Sequence, residues 1–266
     1  MPALTITSRR HPLVSRCRDA ADGREGEVLL DGPHLVSDAL AALVPLHALL
    51  VAEGADRRDE IATLLVAAGR RGIDVHQVTP AVLDAASPTR TPSGIVALAD
   101  VSLRDPHVLR NPDPALVTVA IGVQDPGNLG TLCRSSEAAG ATGLLADAAS
   151  AHPLGWKVLR GSMGSAFRLP LARVDVVEPT LDAWRTGGLR VVALAAAGDT
   201  LLDDADLSGP IAICAGAEGA GLPASVLALA DQHIRIPMRA PVESLNVGVA
   251  VSLVLFEAAR QRGRSR

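Results

Sequence analysis

The sequence predicts an α/β protein of two unequal domains, the second built on a parallel sheet. Three observations carry that expectation. Unbroken apolar runs of strand length, as at residues 116–123 and 211–214, alternate with helical stretches, and strands without a polar face belong to parallel sheets covered on both sides. Residues 101–115, VSLRDPHVLRNPDPA, hold three prolines among polar residues with little periodicity, the signature of a linker. A hydrophobic fraction of 48% over 266 residues is enough for a sizeable core. The domains are expected over 1–100 and 115–266, joined by 101–114.

In the front part, short strands are predicted over 28–30, 46–51, 73–78 and 94–99. Helices are predicted over 35–43 and 59–68, the second closing at Gly69. Strand and helix alternating at this spacing give a compact α/β sandwich. In the back part, the strand over 116–123 runs into a turn, QDPGN, and a helix over 129–139 that ends at Gly140. Further strands follow over 143–146, 191–194 and 211–214. Ile234 and Ile236 flank Arg235 in a short strand that Pro237 ends. From Val247 the chain is apolar on every side, which predicts a buried helix.

Composition removes several classes of function. The formal charge is −4, so no global basic field points to nucleic acid. Lys157 is the only lysine; nearly all positive charge is arginine. Aromatic residues are scarce: Trp156, Trp184, Phe167, Phe256 and no tyrosine. The core is therefore aliphatic, with few rings for stacking bases. Cys17, Cys133 and Cys214 form no C-x-x-C pair and no metal-ligand spacing, which suits a reducing compartment and no metal site. The start, MPALTITSRR, lacks an apolar signal core. The longest apolar run falls short of the ~20 residues that span a bilayer. A soluble, cytoplasmic protein without membrane contact is expected.

Three polar or Gly-rich stretches fall at the carboxyl ends of predicted strands, where open parallel sheets bind ligands. In QDPGNLGTLCR, Asn128 is placed as a helix N-cap. Arg134 lies on the rim with Thr131 and Ser135, while Leu129, Leu132 and Cys133 face the sheet. Alone, this reads first as an ordinary cap followed by a solvated arginine. In IAICAGAEGAGLP, Gly216, Glu218, Gly219 and Gly221 follow a buried strand. There is no G-K-[ST] and no G-x-G-x-x-G fingerprint. A carboxylate at Glu218 would repel phosphate and suits a cation, or a ligand with amine or hydroxyl donors. In RIPMRAPVESLNV, Ser244 and Asn246 stand at the mouth of the apolar helix, and Asn246 is a natural cap for it.

Taken together and in order, these stretches resemble the SpoU–TrmH family of RNA ribose 2′-O-methyltransferases, in the SPOUT superfamily. N128-L-G-T-L-C-R134 matches its N-x-G-x-x-x-R motif, G216-A-E-G-A-G-L222 its G-x-E-x-x-G-L motif, and I236-P-M-R-A-P-V-E-S-L-N-V247 its I-P-M…S-L-N-V motif. Ala240 stands where the family usually has Gly, and Gly248 where it often has Ser. The front part resembles the family's smaller substrate-binding domain, similar to ribosomal protein L30e, through S8-R-R-H-P-L-V14 and V28-L-L-D-G-P-H-L-V36.

The resemblance implies a parallel sheet with a deep trefoil knot, contrary to the ordinary rarity of knots. It implies S-adenosyl-L-methionine as cofactor and a homodimer with the active site near the subunit contact. The candidate catalytic residues are Arg134, Asn128, Ser244, Asn246 and Glu218. Ala195, Ala196, Gly216, Glu218, Gly221, Ile236, Met238 and Leu245 are the candidates for the cofactor pocket. Arg9, Arg10, Arg16, Arg18 and Arg24, with Arg160, are the candidates for holding RNA phosphates. The expected substrate is a ribose 2′-hydroxyl of 23S ribosomal RNA. The alternatives are the same chemistry on tRNA, a non-catalytic RNA-binding module, or a nucleotide-binding enzyme using the loop over 216–221.

Overall fold

Two sheets organise the chain, each with its own core. The computed structural model describes residues 5–23, 26–111 and 113–263. One unit takes the chain up to Ser102 together with Leu154–Phe167; the other takes Leu103–Pro153 and the chain from Arg168 onward.

The first unit contains α1 (Pro12–Ala20), β1 (Glu27–Asp31), α2 (Pro33–Ala41), β2 (Leu46–Ala52), α3 (Asp59–Arg70), β3 (Asp74–Val78), α4 (Pro80–Ala86) and β4 (Ile95–Asp100). Its sheet runs β1-β4-β2-β3, with β4 antiparallel to both neighbours and β2 parallel to β3. The four expected strands are present. The helix expected to close at Gly69 continues to Arg70. Helix α1 was not expected, although His11-Pro12 begins it: the His11 ring accepts from the Leu13 N–H, and proline occupies the first turn.

The second unit contains β5 (Leu116–Ala120), α5 (Pro126–Ala138), β6 (Gly143–Ala146), β7 (Leu171–Arg173), α7 (Glu178–Thr186), β8 (Arg190–Leu194), β9 (Thr200–Leu201), β10 (Ile211–Ala215), α8 (Ala224–Leu229), β11 (Gln232–Arg235) and α9 (Val247–Gly263). Seven strands in the order β7-β6-β5-β10-β8-β11-β9 pair in parallel throughout. The unbroken apolar runs become its inner strands, buried along their length at β5, β6 and β10. Strand β5 ends at Ala120 rather than at residue 123, because Gly122 (φ +67°) turns the chain away.

Two segments depart from the expected domain boundaries. The supposed linker carries a 3-10 helix, Pro106–Arg110, whose Leu109 is fully buried in a core with Val117, Val119, Leu181, Trp184 and Val191. It is part of the second unit because an apolar side chain anchors it. Residues 154–167, expected in the C-terminal domain, cluster with the first unit. They carry α6 (Trp156–Ser162), which buries Val158 and Leu159 and packs on β1. The Trp156 N–H donates to Ala21 O at 2.9 Å. A Cβ at Gly23 would lie 2.3 Å from Leu154 O, so glycine permits this approach.

Helix α9 is not buried all round. Val251, Val254, Leu255 and Ala258 are buried, but Val249, Leu253 and Phe256 are 49%, 45% and 53% exposed on one stripe. Its end is pinned by Arg262, whose guanidinium donates to the carbonyls of Leu207, Gly209, Pro114 and Ala115. No helix among the described residues is long and apolar enough to cross a membrane.

Because Leu109 is fully buried at the foot of this sheet, Leu109→Ala should cost about 2–5 kcal/mol. Urea unfolding checks this; a loss within error would mean the segment is loosely attached.

Candidate functional site

Helix α5 starts earlier than expected, and its cap is Asp125 rather than Asn128. The Asp125 carboxylate accepts from the Asn128 N–H at 2.9 Å, and Pro126 occupies the first turn. Asp-Pro is itself a helix-start signal carried by the sequence. The consequence is functional, since the Asn128 side chain is free to turn outward.

It meets two residues remote in sequence. Asn128 Nδ2 donates to Glu218 Oε1 at 3.1 Å, Asn246 Nδ2 donates to Glu218 Oε1 at 2.8 Å, and Asn246 Nδ2 donates to Asn128 Oδ1 at 2.8 Å. The Val247 N–H also points at Glu218 Oε1, at 3.4 Å. Asn246 Oδ1 accepts from Gly248 N at 2.9 Å and Val249 N at 3.3 Å, so the same side chain caps α9 as expected. Asn246 thus caps with its oxygen and cross-links with its nitrogen. Its place before an apolar helix is explained by both bonds.

Helices α5 and α9 approach closely here. A Cβ on Gly248 would lie 2.9 Å from Thr131 Cγ2, and the Ser135 and Ser252 hydroxyl oxygens are 2.6 Å apart. Ser135 therefore faces α9 rather than the rim. Leu129, Leu132 and Cys133 face inward and are fully buried. The loop before α5 is held by Asp147, whose Oδ1 accepts from Gly122 N at 3.0 Å and from Ser150 Oγ at 2.6 Å, while Ser150 Oγ accepts from Val123 N at 2.9 Å. Neither Asp147 nor Ser150 belongs to a motif, and sequence reading missed both.

Beside this cluster lies a pocket of about 440 Å³, beyond the carboxyl ends of three neighbouring strands, β10, β8 and β11. Ala195 and Ala196 line it from the segment after β8. Gly216, Glu218 and Gly221 line it from the loop after β10. Ile236, Met238, Ser244 and Leu245 line it from the segment between β11 and α9. Glu243 also lines it and was not singled out from sequence. Ala240 is exposed and does not line it.

The loop after β10 is built around its glycines. Gly219 and Gly221 have φ of +87° and +68°, and a Cβ on Gly216 would lie 2.1 Å from Gly221 O. The Gly221 N–H donates to Ala217 O at 2.9 Å, closing the loop on itself. Apolar walls, backbone groups at strand ends and carboxylates suit an adenosine carrying a cationic tail; a phosphate would meet Glu218.

Arg134 is exposed on α5 and does not line this pocket, and no hydrogen bond or ion pair holds its side chain among the described residues. The guanidinium is available to an external anion. Burial pushes the thiols of Cys17, Cys133 and Cys214 up to about 12, which leaves none of them a thiolate nucleophile near neutral pH.

The arginines proposed for RNA do not form one uniform patch. Arg16 pairs with Glu27 at 2.5 Å, an acid that β1 supplies from outside the basic stretch. Arg9 and Arg18 donate to the carbonyls of Ala81 and Ala85 on α4. The Arg10 N–H bonds Ser8 Oγ. Arg160 lines a cleft of about 150 Å³ with Asp31, His34 and Asp38. Arg24 lies outside the described residues.

Comparison with known proteins gives a consistent result. The model of the SpoU rRNA Methylase family matches residues 115–256, and a model described as RNA 2′-O ribose methyltransferase substrate binding matches residues 29–102. A protein of Mycobacterium sp. (strain KMS), named as an uncharacterized tRNA/rRNA methyltransferase, is 36% identical, over 95% of this chain and 85% of the relative. An AdoMet-bound rRNA methyltransferase from Sinorhizobium meliloti superposes with a TM-score of 0.83 at 27% identity, over 97% of each chain. A solved RNA 2′-O ribose methyltransferase superposes with a TM-score of 0.81 at 32% identity, over 97% of this chain and 99% of that one.

Since a Cβ at residue 216 collides with backbone rather than with a movable side chain, Gly216→Ala should displace the loop. It should weaken S-adenosylmethionine binding at least about tenfold by calorimetry, as expected where glycine permits close backbone approach. Gly69→Ala, in α3 with open space around its Cβ, should instead add up to about 1 kcal/mol of stability.

Proposed function

This chain belongs to the SpoU rRNA methylase family and is an S-adenosylmethionine-dependent RNA methyltransferase; we propose that it methylates a ribose 2′-hydroxyl of 23S ribosomal RNA. What supports this most directly is the joining of Asn128, Glu218 and Asn246 by hydrogen bonds beside the strand-end pocket. Three separated motifs meet there. The small N-terminal unit favours ribosomal RNA, because two-domain members of the family often act on it. The same chemistry on tRNA is the second reading, carried by the relatives' shared name. A cytoplasmic location is part of this reading.

S-adenosylmethionine supplies a methyl group already activated on a sulfonium. The protein's task is to orient the 2′-oxygen and stabilise its developing negative charge. A guanidinium holds its proton far above neutral pH and does not serve as a base there. Arg134 keeps its charge, holds the neighbouring phosphate and stabilises alkoxide character as the hydroxyl proton passes to water. Asn128 and Asn246 orient the ribose or Arg134, and Ser244 offers a hydroxyl at the pocket wall. Glu218 fixes both amides, and its loop encloses the cofactor with the segments after β8 and β11.

Arg134 does not line the pocket of its own chain. A homodimer through the exposed stripe Val249, Leu253 and Phe256 covers that apolar surface. It also offers Arg134 a second pocket, that of the other copy. The family's deep trefoil knot would be made by the segments over 216–222 and 236–246 around α9. The remaining donors of Arg9, Arg10, Arg16 and Arg18, with Arg24 and Arg160, position RNA phosphates.

Mapping 2′-O-methylation in 23S ribosomal RNA with and without the gene tests the substrate; an unchanged map, with a lost mark on tRNA, would transfer the activity there. Arg134→Ala should lower methyl transfer at least about 100-fold while calorimetric cofactor binding stays within error. Near-normal turnover would end the role given to Arg134. By sedimentation, Leu253→Glu should convert a dimer to a monomer; a wild-type monomer would remove the dimer proposal.

A further inference from the structure

We propose that Glu243 makes the pocket prefer the charged methyl donor over its neutral, demethylated product. This rests on the placement of S-adenosylmethionine in that pocket. Among the described residues its wall includes two carboxylates, Glu218 and Glu243, and no cationic side chain. The Glu218 carboxylate is surrounded by neutral donors, two amides and a backbone N–H, which orient it without cancelling its charge. Glu243 is exposed on the segment between β11 and α9, with no hydrogen bond or ion pair among the described residues. Neither of the nearest arginines in sequence forms an ion pair with it among the described residues: Arg235 donates to Gly198 O at 3.1 Å, and Arg239 is exposed and outside the lining. The rest of the wall is mostly apolar side chain and backbone.

A methyl donor with a sulfonium, an ammonium and a carboxylate carries one net positive charge. Transfer of the methyl to the 2′-oxygen leaves a neutral thioether with ammonium and carboxylate, and the hydroxyl proton goes to solvent. The pocket's negative potential therefore attracts the ligand before transfer and loses that attraction afterwards. Glu218 contributes to this field but is also needed to hold Asn128 and Asn246, so it cannot be altered without disturbing the cluster. Glu243 contributes charge alone, from an exposed position that no internal contact depends on.

The test is calorimetric binding to the full-length protein, with three probes: S-adenosylmethionine, S-adenosylhomocysteine, and sinefungin, whose protonated amine replaces the sulfonium. Glu243→Gln should weaken the two cationic ligands about threefold to tenfold at low salt and leave S-adenosylhomocysteine within about twofold. Raising the salt from about 0.05 to 0.5 M should narrow the same preference in the wild type, since exposed charges are screened. Equal weakening of all three ligands would make Glu243 a shape or contact residue and overturn the inference, as would an unchanged ratio. A wild-type protein that binds none of the three would remove the cofactor pocket itself and the inference with it.

Discussion

One carboxylate oxygen, Glu218 Oε1, holds the site together. It accepts from Asn128, from Asn246 and from the first N–H of α9. These donors come from a helix start after β5 and from the chain's last helix, while the acceptor sits on a glycine loop after β10. Charge-assisted hydrogen bonds of this kind are stronger than neutral ones. The N-terminus of α9 carries partial positive charge that favours a nearby anion. An apolar side chain at 218 would leave two amides and a helix end without their common partner. Asn246 doubles the dependence, since its other atom caps the helix.

The glycines around this point have separable duties. Gly216 has no room for a Cβ against its own loop, and Gly248 has little against Thr131. Gly219 and Gly221 are in the left-handed region that other residues rarely adopt. One pair permits close approach, and the other permits a turn. Gly248 brings α9 near enough to α5 for the Ser135 and Ser252 hydroxyls to meet. A loop shaped in this way encloses a ligand with backbone groups, leaving charge selection to the few carboxylates on its wall.

The second unit is both finished and unfinished. Its sheet is closed off at one end by Arg262, which gathers four carbonyls at the C-terminus of α9, and by Leu109 in the core. Burial lowers the pKa of the Arg262 guanidinium, and four carbonyls accept its hydrogen bonds. On the outer face of α9, three large apolar side chains remain in water. An isolated exposed leucine needs no explanation, but a stripe at helical spacing calls for a covering surface.

Much of the fold was legible in the chain itself. Strands buried on both faces leave unbroken apolar runs, so β5, β6, β8 and β10 could be read directly. The three motifs pointed to a site only as an ordered set, through the family they resemble, because each alone also reads as a helix cap or a tight turn. Asp125-Pro126 is an equally local signal, since it caps and opens α5. Other features depend on partners chosen only in three dimensions. Glu27 claims Arg16, Leu109 anchors what reads as a linker, and residues 154–167 pack with the front unit. No spacing rule could announce that Asp147 and Ser150 brace the loop before α5, or that Glu243 shares a pocket with Glu218. The sequence by itself determined which segments are strands, helices and polar loops, because periodicity and propensity act between near neighbours. Tertiary structure decided which remote side chains meet, because a hydrogen bond or a buried contact depends on distance in space and carries no trace along the chain.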